Sequence, residues 1–376
     1  MGDGDEAPET GGTGGHAAPS RHDPHLRARG RGARSNHVGR FERFAREAAD
    51  DGWDIEEDMP PLRTEVRTER VGRIISRNTS PDLSFDRSIN PYRGCEHGCV
   101  YCFARPSHAY LGLSPGLDFE TVLTVKPGAA EALRRELSAK SYVPATLAIG
   151  TNTDPYQPLE RDNGVMRACL EVLHEMQHPV GIVTKGTLVT RDVDLLAEMG
   201  ARSLARVGIS LTTLDADLAR AMEPRVPGPA HRLRAIERLA RAGVPVRACL
   251  APIVPGLTDH EIEALLQAAA DAGAEAASFA VLRLPREVSP LFREWLAAAR
   301  PDRAARVMAR VREVHGGKDY DAAFGRRLVG QGEYARLLRR RFGLACKRMN
   351  LAQRMPPLRT DLFRVPPQPG DQLSLL

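Results

Sequence analysis

From about residue 69 the chain alternates short apolar runs with amphipathic ones, and this alternation leaves few folds open. "TVLTVKP" is followed by "AAEALRRELSAK", "ATLAIGTN" by "VMRACLEVLHEMQ", and "VGIVTKG" by "VDLLAEMGA". "RVGISLTT" then leads to "AHRLRAIERLARAG", "PVRACLAPIVPG" to "HEIEALLQAAADAG", and "ASFAVLRLP" to "SPLFREWLAAA". The first member of each pair is nearly continuously apolar, as strands covered on both faces are. The second spaces its apolar residues three to four apart, as helices do. Six consecutive strand-to-helix units predict an α/β fold, a parallel sheet with right-handed crossovers that curls into a full or partial (β/α)6 barrel.

The flanks differ from this core. Residues 1–65 are rich in Gly, Arg, Pro and Asp without hydrophobic periodicity and are expected to be mostly disordered. The core is expected over 66–345, with a helical C-terminal extension, and an extended tail over 346–376. "MPPLRT" stands at 59–64 and again at 355–360, so both copies are expected as extended arms beside the core. No stretch reaches the roughly 20 apolar residues of a membrane span, and the first residues show no leader pattern. The expectation is a cytoplasmic protein with no membrane association. The net charge of +5 comes mostly from arginine and permits contact with phosphate without demonstrating it.

In folds of this kind, function collects where strands end. Those ends carry Asn152-Thr153-Asp154, Thr184-Lys185, Ser210 to Thr213, and Pro252 to Gly256. Helix capping accounts for Thr213 or Asp215. It does not account for a lysine directly after "GIVT", and Lys185 is better suited to holding an anion.

"GCEHGCVYC" places Cys95, Cys99 and Cys102 within eight residues. Three chemistries fit such a cluster. Structural zinc would take His97 or His108 as fourth ligand, although the usual partner motif is missing. A redox pair would use Cys99 and Cys102 and leave Cys95 idle. An iron–sulfur cube on three thiolates would keep one iron open. Cys169 and Cys249 read as buried small hydrophobes.

C-x-x-x-C-x-x-C with an aromatic before its last cysteine resembles the signature of the radical S-adenosylmethionine (SAM) superfamily. The segments "SINPYRGCEHGCVYCFARPSHAYLG", "GTNTDPYQPLER", "VTKGTLVTRDVDLL", "ISLTTLDADLARAMEPR" and "APIVPGLTD" are similar to the branch related to spore photoproduct lyase, often labelled DNA repair photolyase-like. The resemblance implies a partial TIM-like barrel of the radical SAM type, with a [4Fe–4S] cluster on Cys95, Cys99 and Cys102. It implies reductive cleavage of SAM to a 5′-deoxyadenosyl radical by an enzyme that is lyase-like in its branch. It places Tyr101 and Phe103 beside the adenosyl group, Asn152 beside SAM, Lys185 on the carboxylate and Ser210 on the ribose. Ile253 and Val254 would wall the adenine, and Arg225 is a further candidate.

Two positions depart from the lyases. Where those enzymes carry a hydrogen-donating cysteine and an assisting tyrosine, this chain has Thr151 and Phe103. Tyr101 and Tyr156 are the candidate replacements for a hydrogen relay. The expected substrate is a nucleic-acid lesion or modified nucleotide, with flavodoxin or ferredoxin as electron donor. The ending "QLSLL" resembles the peptide that docks on bacterial sliding clamps, through Gln372, Leu373, Leu375 and Leu376. The competing reading is a non-catalytic, DNA-repair-associated interaction protein with a structural metal site.

Overall fold

The computed structural model describes residues 30–37, 39–41 and 62–367. Its strands are β1 Glu65–Thr68, β2 Ile75–Arg77, β3 Arg87–Ile89, β4 Tyr92–Arg93, β5 Val122–Val125, β6 Leu147–Ile149, β7 Val180–Thr184, β8 Ala205–Ser210, β9 Val246–Ile253 and β10 Ala276–Val281. Six of them, in the order β3-β6-β7-β8-β9-β10, are parallel neighbours and form an open barrel wall. The antiparallel strand β2 extends the edge beyond β3.

The first barrel strand is not the one the apolar pattern points to. "TVLTV" forms β5, which pairs with β1 and β4 in a separate three-stranded sheet. The first barrel strand is β3, three residues long and too short to show a period. The cysteine loop therefore leaves the barrel directly after its first strand, by way of β4.

Alternation along the strands sorts two faces. Leu147, Ile149, Val180, Ile182, Val207, Ile209, Val246 and Leu250 pack outward into the main core. They meet helices α1 Ala129–Leu137, α2 Val165–Glu175, α3 Val193–Ala201, α4 Pro229–Arg241 and α5 Ile262–Asp271. In α2 the buried residues Val165, Met166, Cys169, Leu170, Val172 and Leu173 form one stripe, and Cys169 is a core residue as expected. On the opposite face Ala148, Gly181, Gly208 and Ala251 are small, which leaves the barrel interior open. Helices α6 Val288–Ala299, α7 Pro301–Val314 and α8 Gly332–Arg348 complete the C-terminal part. No helix among the described residues is long and apolar enough to cross a membrane.

Both flanks touch the core. Within the Arg-Gly segment, Gly32 and Ala33 donate backbone N–H groups to the buried Glu120 carboxylate at 2.8 and 2.7 Å. After α8 the chain runs extended. Ala352 bridges Ala276, and the amides of Arg359 and Arg364 donate to the carbonyls of Ser203 and Met176. The segment carrying Gln372 to Leu376 lies outside the described residues.

Candidate active site at the barrel mouth

Residues 94–103 are held as a rigid loop from beneath. Arg105, fully buried, donates to the carbonyls of Cys99 and Gly98 at 3.0 and 3.1 Å and ion-pairs with the equally buried Glu120. Gln157 accepts from the Glu96 amide at 2.8 Å and donates to the Gly94 carbonyl. Gly98 has φ +65, and a Cβ there would stand 2.4 Å from a Glu120 oxygen, so only glycine fits.

This scaffold turns three free thiols toward one space. Cys95 and Cys99 are buried and Cys102 is partly so. All three line a cavity of about 90 Å³ with Asn152, Asp154, Lys185 and Ser210. Cys99 and Cys102 also line an adjoining cavity of about 180 Å³, walled by Tyr101, Phe103, Ala251, Pro252 and Arg283. Burial pushes the Cys95 and Cys99 thiols well above their usual range. Buried soft sulfur donors of this kind are stabilised as thiolates by a cationic metal centre. Among the described residues no three His, Cys, Asp or Glu side chains converge on a single-ion site. Three thiols spread around a cavity fit the three-point attachment of an iron–sulfur cube, with space left beside it.

The two histidines considered as a fourth ligand have other partners. His108 donates Nε2–H to the Val122 carbonyl at 3.0 Å. His97, 2% exposed, sits with Nδ1 3.3 Å from Asp154 Oδ2. Asp154 also accepts from the Lys185 amide at 2.7 Å, the Tyr156 amide at 2.9 Å and the Thr184 hydroxyl. Burial opposes its charge, but His97 and these donors win and bring its pKa to about 2.

Lys185 faces both cavities, with Nζ 5.7 Å from the centre of the Tyr101 ring. Burial works against its charge, yet Cys99, Glu223 and Asp154 hold its pKa above the usual lysine value. Ser210 is buried at the same level, and its carbonyl accepts from Arg232 at 3.0 Å. The Tyr101 hydroxyl donates to Glu223, which ion-pairs with Arg232 at 2.7 Å. This buried Tyr101–Glu223–Arg232 network forms the floor of the site. Phe103 is 45% exposed at the mouth, with the Arg283 guanidinium 4.1 Å from its ring centre.

The structure thus brings together Cys95, Cys99, Cys102, Tyr101, Phe103, Asn152, Lys185 and Ser210. Others stand apart. Arg225 ion-pairs with Glu96 at 3.1 Å and lines a separate cleft behind the loop. Ile253 is in the main core, and Val254 packs with Cys99, Val100 and Tyr101 in a second apolar cluster. Ala251 and Pro252 reach the cavity instead. Tyr156 donates its hydroxyl to the buried Asp192 at 3.0 Å and lines the rear cleft.

The pattern of the Radical SAM superfamily matches residues 89–269 of this chain. The protein named "Uncharacterized protein Rv2578c" of Mycobacterium tuberculosis is 40% identical over 235 residues, covering 62% of this chain and 68% of that one. "Uncharacterized protein MJ0683" of Methanocaldococcus jannaschii is 27% identical over 173 residues, 46% of this chain and 62% of that one. Among solved structures, spore photoproduct lyase complexed with dinucleoside spore photoproduct superposes with a TM-score of 0.54 at 15% identity. That match covers 77% of this chain and 80% of the lyase, and it shows a shared fold.

Proposed function

The chain belongs to the radical SAM superfamily, an enzyme class whose cofactors are a [4Fe–4S] cluster and SAM, and on that premise we propose that its substrate is a nucleic-acid lesion or a modified nucleotide. In this reading Cys95, Cys99 and Cys102 hold the cluster. When bound, the cluster and SAM supply one-electron cleavage of a sulfonium and, through it, hydrogen abstraction from a substrate carbon.

The chain's own groups bind, orient and exclude water. The Lys185 ammonium, kept protonated by its neighbours, holds a carboxylate as a flexible point charge. Ser210 orients a ribose hydroxyl, and Asn152 binds beside it. Ala251 and Pro252 wall the cavity and keep water from the reacting atoms. Tyr101 is committed to Glu223, which fixes its ring beside Lys185. Its hydroxyl proton lies on the Glu223 side, so a hydrogen relay through Tyr101 requires that bond to open.

The observation that carries the substrate class is the Phe103–Arg283 pair. A half-exposed aromatic ring backed by a guanidinium at the mouth is a stacking platform of the kind that takes an unstacked base. The lyase with the same fold is complexed with a dinucleoside, which supports a ligand of this class. Flavodoxin or ferredoxin is the proposed electron donor.

The test is isotope transfer. Deuterated nucleotides and lesion-bearing oligonucleotides are incubated anaerobically with reduced, cluster-loaded protein and SAM. Deuterium in 5′-deoxyadenosine, lost in Phe103→Ala, is the expected outcome. Transfer from peptides or small metabolites and from no nucleotide would overturn the reading.

A further inference from the structure

Two arginines project into the barrel interior without a counter-ion among the described residues. Arg206 stands in "LARVGIS" on β8 and Arg247 in "PVRACL" on β9, inside otherwise apolar strands. The register pairs Gly181 with Arg206 and Gly208 with Arg247, so both share the open, small-residue face. Gly181 lies under the Arg206 side chain, with the position of a Cβ 3.7 Å from Nε. Both arginines line a cavity of about 120 Å³ together with Thr146 and Thr151.

These two half-buried arginines are paired differently from the fully buried ones. Arg105 is matched by Glu120 and Arg232 by Glu223. Among the described residues no carboxylate pairs with Arg206 or Arg247. Arg206 donates only to the Pro356 carbonyl, at 3.2 Å, and Arg247 Nε is buried with no hydrogen-bond partner. Burial and the neighbouring Arg247 both push the Arg206 pKa down, so the two positive charges oppose each other. Two half-buried guanidinium groups that face one cavity repel each other, and an anion between them relieves that repulsion.

The cavity leads to the reaction site. Thr151 and Val183 line both it and the cavity of the three cysteines. Arg206 precedes Ser210 by four residues on β8, and Arg247 pairs two residues before it. At about 3.3 Å per residue these are steps of about 13 and 7 Å along the wall. Met355 of the second "MPPLRT" also lines this cavity.

We infer that Arg206 and Arg247 form a phosphate subsite inside the barrel, which takes the phosphate of a nucleotide-type substrate and directs its sugar and base toward the adjoining cavity that Phe103 lines. The subsite rests on the substrate class proposed above. Guanidinium forks from adjacent strands offer several N–H donors in the arrangement that tetrahedral phosphate oxygens accept. The small volume admits one phosphate group and excludes a duplex.

The test is calorimetric, on full-length cluster-loaded protein under anaerobic conditions. Each of the four nucleoside 5′-monophosphates is compared with its nucleoside. At least one monophosphate should bind about 10-fold more tightly. That advantage should vanish in the Arg206→Gln, Arg247→Gln double variant and survive in part when both are lysine. The glutamine variant should melt no lower than the parent, because it removes two uncompensated charges. Inorganic phosphate should compete with the monophosphate, and acetate at equal ionic strength should not. Equal affinity for nucleoside and monophosphate, an advantage that persists in the double variant, or competition by acetate as strong as by phosphate would each overturn the subsite. Formation of 5′-deoxyadenosine by the same preparation reports separately on the enzyme class. SAM cleavage without phosphate-dependent binding therefore overturns the subsite alone.

Discussion

The backbone amide of Lys185 donates to Asp154 Oδ2 at 2.7 Å, and the same oxygen lies 3.3 Å from His97 Nδ1. One buried carboxylate thus ties the end of β7, which carries the lysine, to the middle of the cysteine loop. The relationship couples two functions that the sequence separates by 88 positions. Asp154→Asn replaces an acceptor with an amide that must donate where Lys185, Tyr156 and Thr184 already donate. SAM affinity of the cluster-loaded protein should fall about 10-fold, the equivalent of about 1.4 kcal/mol. Equilibrium dialysis with labelled SAM measures this, and an unchanged Kd would contradict the coupling.

Glu120 supports the loop from the other side. It receives Arg105 and the amides of Gly32 and Ala33, and Glu120→Ala leaves a fully buried guanidinium unpaired. Breaking a buried pair costs about 3–5 kcal/mol. The expected result is a fall in melting temperature on the order of 10 °C, together with reduced iron per chain after reconstitution. A variant that melts like the parent and keeps full iron would show that the loop holds itself.

Stability should depend on pH through His178. It is fully buried, with Nδ1–H donating to the Pro179 carbonyl at 3.0 Å and Nε2 accepting from the Tyr142 hydroxyl at 2.8 Å. Burial, aided by the nearby Arg87, brings its pKa down to about 4 from 6.5. The folded form therefore resists a proton that the unfolded chain accepts. The stability from this group is complete above pH 6.5 and is lost as pH falls toward 4, on the order of 3 kcal/mol. Urea midpoints across that interval should slope in the parent and flatten in His178→Gln. Parallel slopes would assign the effect elsewhere.

Five of the six barrel strands were legible because parallel strands buried on both faces read as apolar runs. The sixth, β3, was not, because three residues cannot display a period and its place in the sheet is set by pairing with β6. The cysteine triad and Lys185 were visible as residue types out of place in their surroundings. The Tyr101–Glu223–Arg232 network was hidden, because Tyr101 and Glu223 are 122 residues apart and meet only when the loop lies over the barrel mouth. Arg206 and Arg247 did leave a signal, a charge at an inward position of an apolar strand, which strand alternation can detect. Ala251 and Pro252 line the cavity, whereas Ile253 lies in the main core and Val254 packs in the cluster of Cys99 and Tyr101.

We propose that the three thiols and Lys185 form one SAM-cleaving site. The most direct measurement is anaerobic 5′-deoxyadenosine formation by reconstituted protein reduced with dithionite in the presence of SAM. The parent should form product, Cys99→Ala none, and Lys185→Gln product with a raised KM for SAM. Absence of product from parent protein that carries a full complement of cluster iron, or equal product from Cys99→Ala, would contradict it.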